Sequence, residues 1–186
     1  MLKILIIYAH PDPQASQVNR LMLAQAAALS HVTVHDLYAC YPDFFIDVAR
    51  ERQLLNAHDL IVFQHPLYMY SCPALLKEWF DVVLTKGYAH GDQAALAGKI
   101  WRSVITAGAA ESAFSQSGYN RYPLEDILQP FELIAALCQM QWQPPLVLYW
   151  ARKAAAATQH QHAKTYRQWL EQPLLDDQSS VEMHHE

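Results

Sequence analysis

One stretch does most to limit what this chain can become: Ile4-Leu5-Ile6-Ile7-Tyr8-Ala9 is apolar at every position. A strand with one face in water alternates apolar and polar residues. A strand covered on both faces does not, and such strands belong to parallel sheets walled by helices. Residues 60–63 (LIVF), 103–106 (SVIT) and 146–150 (LVLYW) read the same way, whereas Val32-Thr33-Val34-His35 is shorter and alternates, as an edge strand would.

Helical patterns separate these runs. Val18, Leu21, Met22 and Leu29 form one apolar stripe. Leu75, Leu76, Trp79, Phe80, Val83 and Leu84 form the strongest, with Lys77, Glu78, Asp81 and Lys86 opposite and Pro73 just before the start. Ile127, Leu128, Phe131, Ile134, Ala135 and Cys138 make a third, where Pro130 predicts a late start or a kink. A last helix is expected over 154–170 and a shorter one over 48–56. The alternation predicts an α/β three-layer sandwich with a five-stranded parallel sheet, most commonly of order 2-1-3-4-5. Its ligand site falls beyond the carboxyl ends of the strands, near the switch point between strands 1 and 3. One domain over 1–172 is expected, followed by a polar tail over 173–186.

Composition narrows the function. With 186 residues and a formal charge of −5, the chain has no Lys/Arg run, so nucleic acid is not an expected partner. Its three cysteines, Cys40, Cys72 and Cys138, show no CxxC or Cys/His zinc spacing, which fits a reducing compartment and predicts no metal site. The paired histidines 160/162 and 184/185 do not change this, since helical residues two apart do not share a face. The apolar start is too short for a secretory signal, and no apolar run approaches the roughly 20 residues of a membrane span.

Three connectors after the predicted strands 1, 3 and 4 carry unusual chemistry. HPDPQASQVN leads into a helix, whose N-terminus is a ready seat for phosphate. Ser16 and Asn19 could bond that phosphate or simply cap the helix, and His10 could add a donor. PLYMYSCP sets Tyr68, Met69 and Tyr70 where a flat ligand could lie against them and take bonds from their N–H groups, or where they fill core. TAGAAESAF offers Thr106 and Gly108, as ligand donors or as a turn with glycine at positive φ. Neither GxGxxG nor GxxxxGK[ST] occurs. Cys72, beside Pro73, reads as a small apolar filler with no cation to activate it.

Together these segments resemble a known pattern. HPLYMYSCPALLKEWFDVVL is similar to the signature P-L-x-x-x-x-x-P-A-x-L-K-x-W-x-D-x-V of the flavodoxin-like NAD(P)H quinone reductases, with Pro66, Pro73, Ala74, Leu76, Lys77, Trp79, Asp81 and Val83 matching. Within that family, DLYACYPDFFIDVARE, WRSVITAGAAESA, NRYPLEDILQPFEL and LVLYWAR resemble the KefG-type ancillary proteins of glutathione-regulated potassium efflux. The resemblance implies two-electron reduction of quinones by NADH or NADPH through FMN. It also implies a homodimer, a KefB-type potassium/proton antiporter as partner, and a place on the cytoplasmic face of the inner membrane held through that partner. Position by position, His10, Ser16, Gln17, Val18 and Asn19 would hold the FMN phosphate side. Leu67, Tyr68, Met69, Tyr70, Thr106, Ala107, Gly108 and Ala109 would hold the ring.

The chain also departs from the pattern. KefF-type relatives have Trp where Met69 stands and T-T-G-G-G-E where this chain reads TAGAAE. An alanine replacing a glycine of positive φ would cost about 1–2 kcal/mol. The tyrosine–histidine pair of animal quinone reductases has no histidine counterpart between residues 109 and 130, and Tyr119 and Tyr122 are the nearby phenols. Hydride transfer from nicotinamide to flavin needs stacked rings and little protein acid–base chemistry, so the sequence assigns no side chain a catalytic role. A regulatory binding subunit with weakened or lost flavin binding is the alternative reading.

Overall fold

The computed structural model describes residues 1–12 and 14–173, so the tail expected over 173–186 and His184 and His185 lie almost wholly outside the described residues. Five strands, β1 (Ile4–Tyr8), β2 (Val32–Asp36), β3 (Leu60–Pro66), β4 (Ile100–Thr106) and β5 (Gln141–Leu148), form one sheet in the order β2-β1-β3-β4-β5. Every pair is parallel, Ile4 facing both Val32 and Leu60. The helices are α1 (Gln17–Ala27), α2 (Leu37–Cys40), α3 (Val48–Ala57), α4 (Ala74–Val83), α5 (Leu124–Leu137) and α6 (Ala156–Glu171). None among the described residues is long and apolar enough to cross a membrane.

The continuous apolar runs are explained by two cores, one on each face. Successive strand side chains point to opposite sides, so Leu5, Ile7, Ile61, Phe63 and Trp101 face α3, α4 and α5, where they meet Leu75, Trp79, Phe80 and Phe131. Ile4, Ile6, Leu60, Val62 and Val104 face α1 and α6, where they meet Val18, Met22, Tyr166 and Trp169. Trp79 and Trp101 are fully buried. At roughly 25 cal/mol per Å² of apolar surface, each contributes several kcal/mol.

Three details differ from the sequence reading. Helix α5 starts at Leu124, before the expected Ile127, because Pro123 occupies its N-cap and Leu124 is buried; Pro130 is accommodated inside it, on the exposed face. Helix α2 was not anticipated: Asp36 caps it by accepting a hydrogen bond from Ala39 N–H at 3.1 Å. Strand β5 contains Pro144 and Pro145, which an edge strand tolerates, and its register slips between Arg102 and Val104 of β4. Asp59 and Lys99 tie down strand ends, through Lys3 N–H to Asp59 Oδ2 (2.8 Å) and Lys99 Nζ to the His58 carbonyl.

Candidate flavin cavity at the carboxyl edge

Parallel strands end on one rim, and three connectors meet there. His10 follows β1, Pro66, Leu67 and Tyr68 close β3, and Thr106, Ala107 and Gly108 close β4. With Ala15, Ser16, Gln17 and Val18 at the start of α1, they line a cavity of about 480 Å³. This is the strand 1–strand 3 switch point anticipated above.

The α1 side is a rigid, hydrogen-bonded block. Ser16 occupies the N-cap but makes no side-chain cap bond; its hydroxyl accepts from Asn19 Nδ2 at 2.7 Å instead. Asn19 Nδ2 also reaches Thr106 Oγ1 at 3.2 Å, and Gln64 Nε2 donates to Asn19 Oδ1 at 3.0 Å. Tyr166 Oη donates to Gln64 Oε1 at 3.1 Å, which anchors the chain of bonds in the core. Asn19 is thus buried behind the cavity wall as a brace between α1, β3 and β4, while Ser16, Gln17 and Val18 form the wall. With Ser16 diverted, the first-turn N–H groups of α1 keep the positive end of the helix dipole free of a side-chain cap.

His10 sits 6 % exposed beside this start. Burial lowers its pKa, Asp12 opposing and Arg152 adding to the shift. Its Nδ1 accepts the Asp12 N–H at 3.1 Å, so in the neutral ring Nε2 carries the hydrogen and is a donor.

The third loop is stapled from behind. Ala107 N–H donates to the Leu148 carbonyl, Ala151 N–H to that of Ala107 and Trp150 N–H to that of Ala109, each at 2.9 Å. This brings a fourth segment to the rim: Ala151, Arg152 and Gln159 also line the cavity. Gln159 Nε2 donates to the Ala154 carbonyl at 3.1 Å, fixing that turn to α6. Sequence reading missed all three. Arg152 brings a guanidinium to a wall that already carries a helix N-terminus and a histidine donor.

The loop after β3 divides. Leu67 and Tyr68 line the cavity, and the His10 and Tyr68 rings meet edge to face at 5.9 Å. Their N–H groups are already committed, Leu67 to the Thr106 carbonyl (2.9 Å) and Tyr68 to those of Pro66 (3.0 Å) and Ser71 (3.2 Å). The expected ring bonds from this loop therefore cannot come from residue 67 or 68. Met69 and Tyr70 are the central residues of a tight turn closed by Tyr68 and Ser71, with φ of +49° and +63°. Mirror-image turns demand such angles and favour Asn-Gly, so Met-Tyr here is a strained choice of the kind that gathers at functional sites. Met69 is 90 % exposed. Tyr70 lines a neighbouring groove of about 630 Å³ with Tyr119, Asn120, Tyr122, Asp126 and Ile127, and its Oη donates to Asn120 Oδ1 at 3.2 Å.

The alanines of TAGAAE carry no conformational penalty. Neither Ala109 nor Ala110 has positive φ, and Gly108 does not either. The cost considered from the sequence does not arise. Cys72 is buried and its thiol pKa is pushed up by that burial, which fits the filler role. On α6, His160 Nδ1 lies 2.7 Å from the Ala156 carbonyl.

A 2-1-3-4-5 parallel sheet with an uncapped helix start and a cavity at its switch point defines a flavodoxin-type α/β protein. Residues 2–170 match the model of the Flavodoxin_2 family, described as a flavodoxin-like fold, and the chain belongs to that family and, within it, to the KefG-type ancillary proteins. It is 59% identical over 173 residues to the glutathione-regulated potassium-efflux system ancillary protein KefG of Yersinia enterocolitica, covering 92% of this chain and 94% of that one. Among solved structures, a general stress protein 14 from Treponema denticola in complex with FMN superposes with TM-score 0.85 at 36% identity, over 91% of this chain and 98% of that one. An NADPH-quinone reductase from P.pentosaceus gives TM-score 0.83 at 32% identity, over 90% and 97%. A chain described as a thermophilic tryptophan halogenase from Streptomycin violaceusniger gives 0.86 at 39%, over 89% and 97%. Two of these descriptions name different activities and the third names only a bound FMN, so fold alone does not choose among them.

Proposed function

We propose that the cavity binds FMN and that the protein is an ancillary subunit of a KefB-type potassium/proton antiporter with NAD(P)H:quinone reductase chemistry. The observation that carries the cofactor is the donor set lining a 480 Å³ hollow: the uncapped start of α1 at Ser16, Gln17 and Val18, His10 as a neutral donor, and Arg152. That set suits a phosphate dianion. The remainder, walled by Leu67, Tyr68, Thr106, Ala107 and Gly108, suits a flat heterocycle. Ordinary backbone at Ala109 and Ala110 removes the main objection that sequence raised to flavin binding. The FMN-bound and quinone reductase relatives support the same reading.

Bound there, FMN would supply two-electron chemistry between a nicotinamide and a quinone. The chain's own contribution is binding and orientation. His10, Arg152 and the α1 start hold the phosphate, Asn19 keeps α1 in register with β3 and β4, and Tyr68 bounds the ring. Met69, exposed at the turn tip, and the Tyr70/Tyr119/Tyr122 groove lie beside the cavity, where the nicotinamide or quinone could stack. No protein acid or base is needed for hydride transfer between stacked rings. A homodimer burying the 66–73 and 119–122 loops would complete that groove and cover Met69, Tyr119 and Tyr122, which are all well exposed in the single chain. The protein would act on the cytoplasmic face of the inner membrane, held there by the antiporter. Residues 1–172 are the flavodoxin-like domain of this arrangement.

The test is an absorption spectrum of the freshly purified protein, followed by NADH and NADPH oxidation with a benzoquinone. A flavin spectrum and quinone-dependent turnover are expected. Protein that stays colourless after soaking in FMN would sink the redox assignment and leave the antiporter-binding role alone.

A further inference from the structure

Away from the cavity, on the face of the sheet that carries α3 and α4, three polar side chains surround one buried carboxylate. Glu51 is fully buried. Its Oε1 accepts from Tyr41 Oη and lies 2.8 Å from His35 Nε2, while its Oε2 accepts from Trp79 Nε1 at 2.8 Å. Burial alone would raise the Glu51 pKa. The bonds from His35, Tyr41 and Trp79 outweigh it and hold the carboxyl below its ordinary range. An ionised Glu51 can only accept, so His35 must donate through Nε2, and the other ring nitrogen, Nδ1, is turned toward Cys40 Sγ at 3.8 Å.

The order is therefore carboxylate, imidazole, thiol. Glu51 fixes the tautomer and orientation of His35, and His35 is placed to take the thiol proton of Cys40, which is the relation between orienter, base and nucleophile that activates a cysteine. Arg50 adds its guanidinium 4.0 Å from the sulfur. Cys40, at the end of α2, is half-exposed, whereas Cys72 and Cys138 are buried and have thiol pKa values raised by that burial. A core that needed only packing at this point would not require a carboxylate with three donors aimed at it; replacing such a cluster with apolar groups is often neutral or stabilising.

We propose that Cys40 is a base-activated nucleophile that adds to small electrophiles of the α,β-unsaturated carbonyl class. The sulfur attacks the β-carbon, the S–C bond forms as the C=C π bond breaks, and the electron pair moves to the carbonyl as an enolate. His35 takes the thiol proton and returns it to the α-carbon, so the product is a neutral thioether with no oxidant consumed. The site stands independently of flavin binding, since neither His35 nor Glu51 lines that cavity.

The experiment is alkylation of the full chain by limiting N-ethylmaleimide near pH 6, where an ordinary thiol is almost wholly protonated, with peptide mass mapping and N-acetylcysteine in the same tube. Cys40 is expected to be labelled before Cys72 and Cys138 and at least about tenfold faster than N-acetylcysteine. His35→Gln keeps a donor for Glu51 and is expected to bring Cys40 down to the rate of the free thiol. Arg50→Gln, on the surface, should slow it by a smaller factor. Labelling of wild-type Cys40 no faster than N-acetylcysteine would overturn the proposal even if His35→Gln failed to fold. An unchanged rate in a folded His35→Gln protein would overturn it as well.

Discussion

The two ends of the rim cavity are built on opposite plans. At the α1 end, Ser16, Asn19, Gln64, Thr106 and Tyr166 form a continuous set of buried hydrogen bonds that ties a helix start to two strands and to α6. At the loop 66–73 end, the backbone folds over itself through a strained Met69-Tyr70 turn and leaves large apolar side chains in solvent. On the proposed function, the first end is ordered in advance for the cofactor's phosphate. The second holds exposed surface ready for something that comes and goes, a substrate ring or a second subunit. A strained, exposed segment next to a satisfied, buried one is what a binding site of fixed cofactor and exchangeable partner requires.

The largest expected effect is acid sensitivity, and it lies across β3 from the α1 block, where the His65 ring meets Phe131 of α5. His65 on β3 is completely buried with Nδ1 3.0 Å from the Pro66 carbonyl, and burial lowers its pKa to about 4. The unfolded chain takes up a proton at this residue near the ordinary value of 6.5, the folded chain only near 4. Stability from keeping His65 neutral is therefore full above pH 6.5 and is lost as the pH falls toward 4. At about 1.4 kcal/mol per unit the loss is on the order of 3 kcal/mol. Urea unfolding at several pH values checks this, and His65→Gln should flatten the part of the profile that His65 causes.

Next is Asn19→Ala, which leaves Gln64 Nε2 only its long bond to the residue 19 carbonyl and takes the Asn19 donor from the hydroxyls of Ser16 and Thr106. Leaving such groups unsatisfied costs about 2–3 kcal/mol, read as a lowered melting temperature, with FMN affinity falling alongside. A variant that melts normally would show that the brace is ornamental.

Met69→Gly probes the strained end and should go the other way. Relief of the left-handed residue gains about 1–2 kcal/mol, the added chain entropy of glycine offsets about 0.5–1, and the net is a small stabilisation. Quinone turnover measured on the same protein shows whether the exposed methionine serves the substrate. Smallest is Lys77→Ala on α4, which removes a 2.6 Å pair with Asp81 in which both side chains are more than half exposed. A change under about 0.5 kcal/mol is expected.

Reading from sequence succeeded where a local pattern determines the outcome. Apolar runs gave the strands, and loop chemistry at their ends placed His10, Ser16, Leu67, Tyr68, Thr106 and Gly108 around one hollow. It failed where the outcome depends on contacts between distant segments. Arg152 and Gln159 reach the rim only because Trp150 and Ala151 are bonded to the loop after β4, and nothing in their own neighbourhood signals it. Asn19 was legible as a polar helix-start residue, but its role as a brace depends on β3 and β4 lying beside it. The Cys40–His35–Glu51 alignment joins β2, α2 and α3, and the one-turn helix α2 that delivers Cys40 is too short to leave a periodic pattern.

The contrast between the two ends is tested most directly by calorimetric titration of the flavin-free protein with FMN and, in parallel, with riboflavin, which shares the ring but lacks the phosphate. If the α1 start, His10 and Arg152 form a prepared phosphate seat, FMN binds one per chain and at least about a hundredfold more tightly than riboflavin, a difference near 2.8 kcal/mol. Equal affinities for the two, or no binding of FMN, would contradict the account.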